Sequence, residues 1–129
     1  MKKGRLMIAP ILTAFLAVIL FRFVFLIGIV PSNSMEPTIP EGSIIIGYRL
    51  YSELEVGDII IFRHDGRLLV KRIAAVPGDQ VITTAGTQTV PAGCYYVLGD
   101  NSESSYDSRF WESPFVDATH VTAKIILVA

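Results

Sequence analysis

Two serines, Ser32 and Ser34, stand in the run Pro31-Ser32-Asn33-Ser34-Met35-Glu36-Pro37-Thr38, directly after an apolar stretch over residues 6–30. A hydroxyl framed by prolines where a chain leaves such a stretch is placed as a nucleophile would be. Serine is a weak nucleophile at its own pKa, so a base elsewhere must activate it. The candidate is Lys71, within Leu68-Leu69-Val70-Lys71-Arg72-Ile73-Ala74. A lysine with a reference pKa of about 10.4 offers no usable lone pair at neutral pH, and burial among apolar groups would favour its neutral form. Strand alternation puts Lys71 on the face of Leu69 and Ile73 and turns Arg72 to the opposite side.

Other chemistries fit less well. His64-Asp65 could suggest a Ser-His-Asp arrangement, but neighbours on a hairpin tip cannot readily serve as base and orienter, because the carboxylate must reach the far imidazole nitrogen. His64 and His120 are the only histidines, and neither belongs to a metal-ligand pair. Cys94 is the only cysteine, which excludes an internal disulfide and a cysteine-based zinc set. It reads as a small buried hydrophobe. No metal and no cofactor are expected.

The elements that must position Ser34 and Lys71 fall into two parts. Residues 6–30 are interrupted in polarity by Pro10, Thr13, Arg22 and Gly28. About 20 apolar residues suffice to cross a hydrocarbon core of about 30 Å, so this stretch predicts a transmembrane helix. Pro10 falls in its first turns, where a missing N–H is tolerated. Arg22 would cost about 2.5–3.5 kcal/mol at mid-helix on insertion scales, and it is expected to snorkel to the outer interface. A cleavable signal peptide would have a shorter apolar region ending in small residues, and residues 23–30 offer no such site. The basic start Lys2-Lys3-Gly4-Arg5 places residues 1–30 as a cytoplasmic start plus anchor, and residues 31–129 as an extracytoplasmic domain.

Beyond residue 31 no helical period is sustained. Runs rich in Ile, Val and aromatics recur at 43–48, 58–63, 68–76, 80–84, 94–98 and 121–128, bounded by Gly, Pro and Asp, and predict an all-β domain. His64-Asp65-Gly66 reads as a hairpin turn, which sets Lys71 on the returning strand. Pro77-Gly78-Asp79 and Pro91-Ala92-Gly93 mark further turns, and residues 99–114 read as loop or a short helical turn. With 129 residues the chain has room for one anchor and one small domain. All 12 acidic residues lie after residue 31, against seven of the 11 Lys and Arg. That acidic balance excludes a phosphate-backbone partner, which needs clustered cations, so no nucleic acid is expected.

Three blocks occur in order: Ser32-Asn33-Ser34-Met35-Glu36-Pro37-Thr38, then Val70-Lys71-Arg72-Ile73 running into Pro77-Gly78-Asp79, then Gly99-Asp100-Asn101-Ser102-Glu103-Ser104-Ser105-Tyr106-Asp107-Ser108-Arg109. Their order and content resemble bacterial type I signal peptidases, the membrane-bound Ser/Lys proteases, over nearly the whole chain. The resemblance implies an all-β catalytic domain of small antiparallel sheets, barrel-like, behind one N-terminal transmembrane α-helix. It makes Ser34 the nucleophile, Lys71 the general base and Ser105 the residue that orients the lysine amine. Ser32 would complete an oxyanion hole with the backbone N–H of Ser34, where losing one donor typically costs about 10²–10³ in rate. Arg72, Asp100, Asp107 and Arg109 would form the ion-paired framework holding residues 99–109 against the sheet.

The implied activity is removal of signal peptides from exported preproteins at the outer face of a bacterial cytoplasmic membrane, with the lipid bilayer as second partner and an Ala-x-Ala-like preference. Eukaryotic-type relatives carry histidine where this chain has Lys71. Two alternatives stay open: a peptidase of this fold dedicated to pilus or conjugation proteins, and a catalytically silent assembly module. Two departures from the family pattern stand out. A hairpin takes the place of a larger insertion between Asp79 and Gly99, which implies a minimal core, and Glu112-Ser113 replaces the usual glycine region after Trp111. Met35, Phe110, Trp111, Pro114 and Phe115 form either an apolar edge resting on the membrane or ordinary core.

Overall fold

A computed structural model describes residues 2–129, apart from the side chains of Lys2 and Lys3, so those two charges of the basic start lie outside the side chains described. Helix α1 spans Lys2–Val24 and is followed without a break by β1 (Phe25–Ile29). Then come β2 (Ile44–Tyr48), β3 (Ile59–His64), β4 (Arg67–Ala75), β5 (Gln80–Thr83), β6 (Gly86–Thr89), β7 (Cys94–Leu98), β8 (Phe115–Asp117) and β9 (Val121–Val128). Short 3₁₀ turns cover Ser102–Ser104 and Ala118–His120.

Gly4–Val24 is long and apolar enough to cross a membrane, and none of it is buried against the rest of the chain. Leu12, Phe15, Leu16, Val18 and Leu20 are among the apolar side chains it turns outward. Such a helix, apolar all round, has no core of its own to cover. The apolar stretch does not stay helical to residue 30 as its composition predicts. Phe25-Leu26-Ile27-Gly28-Ile29 pairs antiparallel with β2, Phe25 facing Tyr48 and Ile29 facing Ile44. Branched and aromatic residues suit a strand as well as a membrane helix, and the β2 edge supplies the backbone partners that decide it.

Seven strands form one antiparallel sheet in the order β1-β2-β9-β3-β4-β7-β8, and β5-β6 make a separate hairpin. The all-β domain with one N-terminal helix is therefore as expected from sequence. Central strand β3 is buried on both faces: Ile60 and Phe62 pack with Ile73, Val97 and Trp111, while Ile61 packs with Met35, Ile39 and Ala123. Met35 and Trp111 are thus core residues, whereas Phe110 lies exposed and stacked on Tyr106. Cys94 is half-buried and packs beside a third cluster around Ala75, Val90 and Tyr96.

The β3–β4 connection is the tight turn expected from His64-Asp65-Gly66. Asp65 and Gly66 have φ of 48° and 75°, the two left-handed positions that match the twist of a hairpin. This turn fixes the register that sets Ile60 opposite Lys71 and Ile59 opposite Arg72. Lys71 thereby points toward the Ile60–Ile73 side of the sheet.

Candidate active site

The segment after β1 is wedged into the domain by its apolar residues. Val30, Met35 and Ile39 are buried in one cluster, and Ile39 N–H closes a turn onto the Met35 carbonyl at 2.9 Å. Ser34, between those anchors, cannot swing freely and is only 7% exposed. A second restraint comes from 67 residues further along. Asn101 donates its backbone N–H to the Ser34 carbonyl at 2.9 Å and its side-chain amide to the Asn33 carbonyl at 3.1 Å.

On β4, Lys71 is 5% exposed, and its Nζ lies 2.7 Å from Ser34 Oγ. Desolvation by burial lowers the lysine pKa below its ordinary value, and the nearby Asp107 carboxylate opposes part of that shift. The geometry serves both protonation states: the ammonium donates to Ser34 Oγ, and the neutral amine can accept the hydroxyl proton. Ser32 Oγ lies 3.2 Å from Ser34 Oγ. The three residues expected to act together at the nucleophile are therefore side by side.

Ser105 is buried next to them, but its hydroxyl donates to Asp107 Oδ2 at 2.7 Å, and the hydrogen bond of the Lys71 amine goes to Ser34. Asp107 is fully buried. Besides Ser105 it accepts from Gly99 N–H at 2.9 Å and from Arg109 Nε at 2.9 Å. Burial alone would raise its pKa, yet these donors outweigh that effect and hold it below the usual carboxylate value. Arg72 reaches Asp100 with two nitrogens, at 2.8 and 2.6 Å, and Asp100 also accepts from Thr38 at 2.5 Å. The four framework charges are thus two pairs: one ties β4 to the serine segment, the other organises residues 99–109.

Gly99, Asn101 and Thr38 carry structural duties at this site that sequence reasoning did not single out. A Cβ on Gly99 would stand 2.0 Å from Ser105 Oγ and 2.7 Å from the Ser34 carbonyl oxygen, so only glycine lets the two segments meet. The signal available was a glycine opening the polar block that runs on through Ser105 to Arg109.

A cleft of about 540 Å³ opens onto the pair, lined by Ser32, Ser34, Lys71, Leu69, Tyr106 and Trp111 among others. A smaller pocket of about 80 Å³ adjoins it, lined by Val30, Pro31, Leu68, Leu69 and Val70 beside the same Ser and Lys. His64 borders the larger cleft but is stacked on Trp111 at 3.9 Å and does not bond to Ser34. Among the described residues there is no cluster of three or more His, Cys, Asp or Glu that could hold a metal ion.

Comparison with known proteins points the same way. The family described as "Signal peptidase, peptidase S26" matches residues 4–87 and 81–129. A probable signal peptidase I-2 of Synechocystis sp. (strain ATCC 27184 / PCC 6803 / Kazusa) is 30% identical, over 84% of this chain and 64% of its own length. The signal peptidase I of Leptolyngbya laminosa is 29% identical over 64% of this chain and 58% of its own. For the signal peptidase I of Bacillus licheniformis the values are 29%, 78% and 75%. The chain spans about six tenths of the length of the Synechocystis and Leptolyngbya relatives. With the family pattern matched along almost its whole length, the chain belongs to the signal peptidase, peptidase S26 family.

Proposed function

We propose that this protein is a membrane-anchored serine endopeptidase that removes N-terminal signal peptides from exported precursors, with Ser34 as nucleophile and Lys71 as general base. The observation that carries this reading is the 2.7 Å approach of Lys71 Nζ to Ser34 Oγ in a buried setting that lowers the lysine pKa. The neutral amine takes the proton as Ser34 Oγ attacks the scissile carbonyl carbon, and returns it to the leaving amine nitrogen as the peptide bond breaks. Water, deprotonated by the same amine, then attacks the acyl ester, and Ser34 recovers its proton. Ser32 Oγ and the backbone N–H of Ser34 serve as donors to the oxyanion.

In this reading Ser105 orients the Lys71 amine. With its proton committed to Asp107, its oxygen lone pairs remain available to the amine, and Asp107 in turn fixes Ser105. Arg72, Asp100, Asp107 and Arg109 keep the two active segments in register. The small apolar pocket formed by Val30, Leu69 and Val70 favours a small side chain beside the scissile bond. Helix α1 anchors the domain in the cytoplasmic membrane of a bacterium with its N-terminal end toward the inner side, and residues 25–129 form the extracytoplasmic peptidase domain.

Incubation of the full chain in detergent with a signal-peptide-bearing precursor tests the reading. Wild type should yield one shortened product with a new N-terminus after a small residue, and Ser34→Ala should yield none. Cleavage by Ser34→Ala at the wild-type rate would sink it.

A further inference from the structure

Two arginines meet where α1 ends. Arg22 lies in the last turn of α1, and Arg49 directly follows β2, whose Tyr48 pairs with Phe25. Arg49 is fastened to the junction by its backbone N–H, 2.8 Å from the Val24 carbonyl, and by Nε, 3.3 Å from the Phe25 carbonyl. Among the described residues its two terminal nitrogens make no hydrogen bond. Among the described residues no carboxylate pairs with either guanidinium.

Both arginines line two cavities, one of about 160 Å³ with Phe21, Phe25, Leu26 and Ile27, the other of about 360 Å³ with Phe23, Leu50 and Thr122. No acidic residue lines either cavity. Aromatic rings run on continuously along this junction, Phe21 to Phe25 at 5.0 Å and Phe25 to Tyr48 at 5.9 Å. Two cations sharing cavities with apolar side chains suit an amphiphile with an anionic head.

The placement decides which amphiphile. On the reading that α1 crosses the bilayer, its apolar window ends at Val24, and Arg22 and Arg49 stand at the depth of the outer headgroups. We propose that Arg22 and Arg49 form a binding site for the phosphate of an anionic glycerophospholipid, whose acyl chain lies along Phe21 and Phe25. The planar guanidinium fork matches phosphate oxygens. A zwitterionic head would bring its own ammonium toward the two arginines, so an anionic lipid is favoured. Occupancy would set the height of the catalytic cleft over the bilayer, because β2 is joined through β9 and β3 to β4, which carries Lys71.

The test uses the full chain in a neutral detergent, with native mass spectrometry counting retained lipid after addition of phosphatidylglycerol or phosphatidylcholine. Wild type should retain one phosphatidylglycerol about tenfold or more over phosphatidylcholine, each of Arg22→Gln and Arg49→Gln should lose about fivefold of that preference, and the double variant should show none. Equal retention of the two lipids by wild type, or an unchanged preference in the double variant, would overturn the site. Glycerol phosphate, which has the anion without the chains, should not compete at equal concentration. Full competition would make this a soluble-phosphate site and overturn the lipid assignment. Arg22→Gln, at an exposed helical position, keeps the test informative if Arg49→Gln disturbs the β2 end. Lipid preference is read independently of peptide cleavage, so loss of the peptidase reading would leave it intact, whereas wild type soluble without detergent would remove the membrane span and this site together.

Discussion

Burial pulls the Lys71 amine below a lysine's ordinary pKa, while Asp107 pulls it part of the way back. The catalytically competent form of a lysine base is neutral, so kcat/KM should rise with pH through the lowered pKa and level off above it. A rate–pH profile flat from about pH 6 to 10 would argue against a lysine base. Stability follows the same sign. Between the folded and unfolded pKa values the unfolded chain binds more protons at this site, so its contribution to folding becomes more favourable as pH rises through that window. Lys71→Met, which keeps the length and drops the amine, should therefore lower turnover by about 10³-fold or more while leaving the thermal midpoint at neutral pH unchanged or higher. Gly99→Ala is the converse case. Its Cβ would collide with Ser105 and the Ser34 carbonyl, and circular dichroism melts should show a loss of about 1–3 kcal/mol along with a fall in kcat.

Between elements, the approach of Lys71 to Ser34 depends on ties across long stretches of chain. Asp100 joins β4, through Arg72, to the serine segment, through Thr38. Because this pair is partly exposed, Asp100→Asn should cost only about 1 kcal/mol in chemical denaturation, yet reduce kcat as the serine segment loosens. The division between α1 and β1 makes another testable difference. A form beginning at residue 25 keeps β1 paired with β2 and should retain cleavage of a soluble peptide; one beginning at residue 31 lacks that strand and should be less stable by about 2 kcal/mol or more. The strands at 44–48, 59–64, 67–75, 80–83, 94–98 and 121–128 were legible in sequence because most of their runs are rich in Ile, Val or aromatics and are bounded by turn residues. β1 was not, since Phe-Leu-Ile-Gly-Ile reads equally well as the tail of a membrane helix until β2 is seen beside it. β6, Gly-Thr-Gln-Thr, has no apolar face, and β8 has three residues. The meeting of Ser34 and Lys71 could be expected from sequence, because the chemistry proposed for them restricts the residue types. Gly99 and Asn101 serve by close approach and hydrogen bonds to distant segments, and no local pattern records those partners.

As one body, the chain places an acidic β domain beyond a helix fit to cross a bilayer, with Ser34 ten residues past the last helical residue. On the proposed reading that short tether holds the nucleophile near a cleavage site that is itself emerging from the membrane, and the two arginines at the junction hold the domain at that height. A form beginning at residue 25 should then lose more rate on a membrane-inserted precursor than on a soluble peptide, a comparison of kcat/KM in vesicles that isolates the anchor's contribution. The peptidase reading rests on Ser34 becoming acylated with help from Lys71. The full chain, exposed briefly to an aryl ester of an Ala-x-Ala peptide and quenched in acid, can be weighed intact and after proteolysis by mass spectrometry. A single acyl group on the fragment containing Ser34 is expected in wild type, with none in Ser34→Ala and none forming on that timescale in Lys71→Met. Acylation at another residue, or acylation of Ser34 at an unchanged rate in Lys71→Met, would contradict it.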